Sequence, residues 1–272
     1  MSDTSANNTF LSDTFVSDTF NRLVSEAMKE PFEGWDFSYI EDSGRVVESP
    51  LKWNYINNVR RYFHKTGTLL DMGTGGGEVL SRLAPFPPKT YATETYPPNV
   101  EVARRNLCPL GVEVIYVEDA SEPPYNDDLP FDSKYFDLVI NRHEAYSPRE
   151  LKRILKPNGI FITQQVGCFT MANLLKDMLG KNASYGNWNL QSAANELESS
   201  AFTILEAGEH IYPSRFYDIG AIVYYLKAIP WLVEGFSPNK YRRELIYIHS
   251  RIERDGYYET LNHRFIVVAK NN

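Results

Sequence analysis

The chain has 272 residues, 43% of them hydrophobic and 14% aromatic, and a formal net charge of −7. That is apolar material for a full α/β core, and an acidic balance that argues against a protein built to neutralise nucleic-acid phosphates. No run of eighteen apolar residues and no basic-then-apolar leader occurs, so neither a membrane span nor a signal peptide is predicted; Cys108 and Cys168 lack any metal-ligand spacing, which points to a reducing cytoplasm and no structural metal.

The first elements are polar, then aromatic. Ser12-Asp13-Thr14-Phe15 and Ser17-Asp18-Thr19-Phe20 repeat at a short offset, and from Ser17 the spacing predicts a capped helix with Phe20, Leu23, Val24 and Met28 on one stripe. Phe32, Trp35, Phe37 and Tyr39 follow, then Trp53 and Tyr55; such aromatics either complete a core or close over a ligand. Residues 1–45 are read as an extension and 46–270 as one domain.

Thr68-Leu69-Leu70-Asp71-Met72 is a short apolar run of the kind that forms a buried parallel strand, and Gly73-Thr74-Gly75-Gly76-Gly77 turns the chain sharply behind it. Glu78–Ala84 has helical spacing. A dinucleotide fingerprint would need Gly or Ala at position 78, so the turn suits a ligand other than a pyrophosphate. The next strand, Thr90–Glu94, ends in an acid about twenty residues after Gly73, where a carboxylate can accept from two ribose hydroxyls. Asn99 is a plausible N-cap for a helix through Leu107.

A third strand, Val112–Val117, runs into Glu118-Asp119-Ala120, and a fourth, Phe136–Ile140, runs into Asn141-Arg142-His143-Glu144-Ala145-Tyr146. Ionisable groups at the carboxyl end of a buried strand sit where open α/β sheets place their sites; the competing reading is an Arg142–Glu144 salt bridge over a core histidine. Ser147 caps a helix that starts at Pro148, and Pro157-Asn158-Gly159 ends it. Gln164 and Gln165 follow the fifth strand and alternate faces, so one of them points to the crevice. Between the strands Phe202–Ala207 and His263–Ala269 lie about fifty residues with two helical stretches, far beyond an ordinary loop.

The pattern Asp71-x-Gly73-x-Gly75-x-Gly77, with Glu94, Asp137-Leu138-Val139 and Leu155-Lys156-Pro157-Asn158-Gly159, resembles the class I S-adenosylmethionine (SAM) dependent methyltransferases from Leu69 to Thr163. The resemblance implies a Rossmann-like α/β sheet, mostly parallel with an antiparallel last strand, and SAM as cofactor. It implies that Asp71, Gly73, Thr74, Gly75 and Gly77 face the amino-acid part of SAM, Glu94 and Thr95 the ribose, and Asp119 and Ala120 the adenine, with Asn141 beside them. His143 and Glu144 become the candidate proton acceptors. Arg142, Tyr146, Gln164, Gln165, Arg215 and Tyr217 become candidate acceptor contacts, with the insert 213–260 as a pocket wall. The Asn/Asp-Pro-Pro-Tyr/Phe run of enzymes that methylate exocyclic or amide nitrogens is missing after Ile140. The acidic balance favours a small-molecule acceptor over ribosomal or transfer RNA, and a non-catalytic SAM binder is the third reading.

Overall fold

The computed structural model describes residues 18–118, 128–180 and 187–272. Eight strands form one sheet: β1 (Val46–Glu48), β2 (Thr68–Met72), β3 (Lys89–Glu94), β4 (Val112–Tyr116), β5 (Phe136–Arg142), β6 (Leu155–Val166), β7 (Phe202–Phe216) and β8 (Tyr258–Asn271). Their order is β1-β7-β8-β6-β5-β2-β3-β4. From β4 through β6 every pairing is parallel, and β8 returns antiparallel against β6, the sheet expected from the sequence.

Central β2 is buried along its whole length because helices cover both faces. Side-chain alternation divides the core in two. Leu69, Leu138, Ile140, Ile162 and Ile266 pack under Tyr55 and Val59 on one face, while Leu70, Val139, Phe161 and Phe265 pack with Leu151 and Leu197 on the other. The first is called here the Tyr55 face. At the amino end of the strands, Asp137 accepts from the Gly67 and Thr68 amides, both at 2.9 Å, and pairs with Lys156 at 2.7 Å, fixing the β2–β5 register.

Several boundaries differ from the sequence reading. The helix after the glycine turn is a single turn, Glu78–Ser81, because the residue before Pro85 is steered away from helical geometry. The following helix is Pro97–Leu107 with Tyr96 as its cap, so Asn99 lies inside it; Pro97 and Pro98 take the first helical positions, where a missing N–H costs nothing. Ser147 caps Pro148–Ile154 as expected. Strands β7 and β8 both run well beyond the predicted segments, and residues 217–257 connect them.

By internal packing the chain forms two compact units. One joins the described residues through Glu30 to Phe216–Tyr258; the other comprises Pro31–Arg215 and Glu259–Asn272 and carries the glycine turn. In the first unit, helix Asp18–Lys29 lies along helix Ile219–Ala228, and the Lys227 ammonium donates to the carbonyls of Ala27 (2.9 Å) and Glu30 at its end. Ala27 is buried and Met28 is exposed, so the buried stripe is Phe20 to Ala27, one position short of the prediction; a small residue there permits close helix approach. Among the described residues no helix is long and apolar enough to cross a membrane.

Candidate active site

The glycine turn is held to β3 by main-chain and carboxylate bonds. Gly73, Gly75 and Gly77 have φ of 66°, 63° and 85°, a region that side chains disfavour. At Gly73 a Cβ would also fall 2.6 Å from Glu144 Oε2, and at Gly77 2.6 Å from Leu107 Cγ. The Thr74 amide donates to Thr93 O at 2.9 Å, and the Gly75 amide to Glu94 Oε2 at 2.7 Å. Glu94 Oε1 accepts from the Thr95 and Tyr96 amides at 3.0 and 2.9 Å, which seats the start of the next helix. Burial raises the Glu94 pKa even though the Tyr96, Gly75 and Thr95 amides oppose it.

Asp71 is the second buried acid. Burial lifts its pKa to about 7; the Thr74 hydroxyl and Arg142 pull the other way, and Glu94 adds to the rise. The Thr74 hydroxyl lies near enough to bias Asp71 toward its ionised form, yet it falls short of hydrogen-bond geometry and has no partner among the described residues. Asp71 pairs in register with Ala92 and Ile140, so it shares the Tyr55 face with Glu94 and Arg142. The Tyr55 hydroxyl donates to Asn141 O at 3.4 Å, and burial, then Asp71, push the phenol well above its usual pKa.

The carboxyl ends of β5 and β6 sort the remaining candidates by parity. Asn141 is fully buried on the face opposite Tyr55, where its Oδ1 accepts from Thr163 Oγ1 (2.9 Å) and Gln165 Nε2 (2.7 Å); its Nδ2 has no partner among the described residues. Gln165 also donates to Glu144 O at 2.9 Å. Gln164 is the glutamine on the Tyr55 face. Its Oε1 accepts from Trp53 Nε1 at 2.8 Å, so its amide nitrogen is the group 3.3 Å from His143 Nε2, and that ring nitrogen accepts.

His143 therefore carries its proton on Nδ1. Its φ is 67°, and its own amide donates to Gln164 O at 2.9 Å. Burial, then Arg142 and Arg264, push its pKa well below 6.5, which makes it a weak proton acceptor. Arg142 makes no ion pair with Glu144, whose side chain lies against Gly73 instead.

Other candidates are not gathered here. Tyr146 packs edge-on to Phe161, ring centroids 5.0 Å apart, in the core of the opposite face. Arg215 is exposed, alternates away from Tyr212 and Ser214 along β7, and pairs with Glu259 at 2.8 Å. Tyr217 is exposed in the other compact unit, near the Tyr257 ring. Asp119 and Ala120 lie outside the described residues.

Residues 70–163 match a family model described as a methyltransferase domain, and they span β2 through most of β6, the segment that carries the turn and both acids. Over those residues the chain carries a methyltransferase domain. The methyltransferase fold recurs in solved structures. A candidate methyltransferase from Bacillus halodurans C-125 is 19% identical, with a TM-score of 0.54 over 79% of this chain and 98% of that one. A functionally unknown protein from Deinococcus radiodurans R1 is 13% identical, with a TM-score of 0.56 over 86% and 96%. The YcgJ protein of Bacillus subtilis is 15% identical, with a TM-score of 0.52 over 80% and 98%. A search of curated protein sequences returns no match.

Four residues around the candidate site had no assigned place in it from the sequence. Glu78, noted there only for breaking a dinucleotide fingerprint, accepts from the Trp35 amide at 3.3 Å. Trp35 in turn lies against the glycine turn, its Cβ 3.2 Å from where a Gly75 Cβ would be, within an aromatic cluster with Phe32 and Phe37. Trp53 and Tyr55 reach the ends of β6 and β5 from the segment before β2. Their aromatic character was visible, but their destination was not.

Proposed function

We propose that this methyltransferase uses SAM as donor and a small molecule as acceptor. The observation that carries the donor assignment is the pair of buried carboxylates, Asp71 and Glu94, at the ends of adjacent strands on one face of the sheet and beside a glycine turn. The residues present fit SAM. A buried acid without an ion pair among the described residues suits an ammonium group, and the Thr74 hydroxyl supplies a further polar atom unmatched among those residues. Asp71 would hold the amino-acid end and Glu94 the ribose, using the one lone-pair site on Oε2 left over from its three amide bonds.

When bound, SAM supplies an electrophilic methyl group on a sulfonium centre. The protein's part is to hold donor and acceptor in line, to exclude water, and to receive a proton where the acceptor must lose one. Glu144, stacked against Gly73 at the mouth of the turn, is the better proton acceptor. His143 is neutral and a weak base, and its role is to orient the Gln164 amide. Trp35 over Gly75 is placed to cover the donor.

Titration calorimetry with SAM and with NADH tests the donor assignment. SAM affinity without NADH affinity is expected, and the reverse would overturn it. Release of S-adenosylhomocysteine on adding a cell extract separates turnover from simple binding, and a salt-sensitive gel shift with bulk RNA would defeat the small-molecule reading.

A further inference from the structure

Beyond Asp71, the Tyr55 face carries polar side chains that the donor assignment does not use. Arg142 ends β5 with a half-buried guanidinium that makes no hydrogen bond or ion pair among the described residues. A guanidinium presents five N–H donors, and taking it out of water without partners is costly. Parity puts Gln164, Arg264 and Asn262 on this same face, because Arg142 pairs with Gln164, and Gln164 and Val166 pair with Ile266 and Arg264. Among the described residues Arg264 commits one terminal nitrogen, to Thr170 Oγ1 at 3.0 Å and His263 O at 3.1 Å.

Two carboxylates face the arginines. Glu48 is taken up by Asn262 Nδ2 at 2.6 Å and the Tyr212 hydroxyl at 3.2 Å. Glu41 has its pKa raised, by burial first and then by Glu48. Neither forms an ion pair with Arg142 or Arg264 among the described residues. Around them, Asn262 Oδ1, Ser214 Oγ and His210 Nδ1 are buried atoms without partners among the described residues, and Ser214 and Asn262 are fully buried residues. Buried polar atoms of this kind are expected to meet something, and here they share one end of one sheet face.

We propose that this end of the face is a carboxylate subsite, in which Arg142, supported by Arg264, holds the carboxylate of a small organic acid as methyl acceptor. The planar guanidinium matches a carboxylate in a bidentate fork. Two arginines opposed by two glutamates favour a monoanion over a polyphosphate. Tyr55 ties the subsite to the donor site, since its hydroxyl bonds Asn141 O, immediately before Arg142, and Asp71 lies on its other side. The proposal rests on the methyltransferase reading and adds the chemical class of acceptor.

The test titrates the full chain, with and without saturating S-adenosylhomocysteine, with benzoate, neutral benzamide and inorganic phosphate at matched ionic strength. Benzoate is expected to bind at least about tenfold more tightly than benzamide, Arg142→Gln to remove that preference, and Arg142→Lys to restore only part of it. Measured at about pH 9, where Asp71 is ionised with or without Arg142, affinity for S-adenosylhomocysteine in Arg142→Gln should stay within about threefold of wild type, which also reports that the variant is folded. Arg264→Gln carries the same comparison should Arg142→Gln not fold. Equal binding of benzoate and benzamide, or a preference for phosphate, overturns the proposal. So does a parallel loss of S-adenosylhomocysteine affinity in Arg142→Gln, which would assign the arginine to the donor's own carboxylate. Benzoate selectivity in a protein without S-adenosylhomocysteine affinity would retire the donor assignment and leave the anion subsite standing.

Discussion

The glycine turn after β2 and the polar end of the Tyr55 face use polar groups in opposite ways. At the turn, the Gly75, Thr95 and Tyr96 amides are consumed by Glu94, and the geometry is fixed by positive φ at closely spaced glycines. At the other, side chains from β5, β7 and β8 are buried with bonds unmade. A turn whose main-chain amides are taken up by a buried carboxylate is preorganised and tolerates little change, whereas a region of unmet side-chain donors and acceptors has room for a partner.

Glu94→Ala should break this contrast most severely. It orphans three backbone donors at the turn, so SAM affinity is expected to fall by about 3 kcal/mol, or roughly a hundredfold by calorimetry. Gly73→Ala forces a side chain into φ of 66° and against Glu144, and a loss of about 1–3 kcal/mol in denaturant unfolding is expected. Adding Glu144→Gly should recover part of that loss, because the Cβ, Cγ and carboxylate atoms that clash go and the backbone strain stays.

Asp71 sharpens the comparison through pH. With its folded pKa raised to about 7, it binds a proton that the unfolded chain has already lost, so its contribution to stability is present at low pH and fades as pH rises through 7. An ammonium ligand needs the ionised form, so SAM affinity should instead rise over the same range. Asp71→Asn should flatten both trends and cost about tenfold in affinity at pH 8, read by thermal melting and calorimetry across pH 5–8.

Smaller effects are expected further out. His143→Ala should leave SAM affinity within about threefold and slow transfer about tenfold, and the imidazole should show no titration between pH 6 and 8 by NMR. Arg215→Ala removes an exposed ion pair and should change stability by less than about 0.5 kcal/mol with turnover intact.

Much of the turn was legible because its parts are local. The strand, the glycines and Glu94 fall within one short stretch, and each residue type has a direct backbone reason for its place. Arg142, Gln164 and His143 were also visible as polar groups after apolar strands, but their partners were not. Trp53 lies 111 residues from Gln164 in sequence, Glu48 lies 214 from Asn262, and the arginine that depresses His143 along with Arg142 comes from β8. Arg215 and Tyr146 looked equivalent to these in sequence, and only strand parity and helix packing sent them elsewhere.

The sequence by itself determined the β2–turn–β3 unit, the class of sheet and the acids at its carboxyl edge, since short apolar runs, glycines needing positive φ and a carboxylate at fixed spacing act over a few residues. The tertiary structure alone decided which groups share a face, which nitrogen of His143 holds its proton, that Asp71 sits near pKa 7, and that Arg142 is left without a partner among the described residues. Those outcomes depend on burial and on charges from distant strands, and neither exists until the sheet has closed.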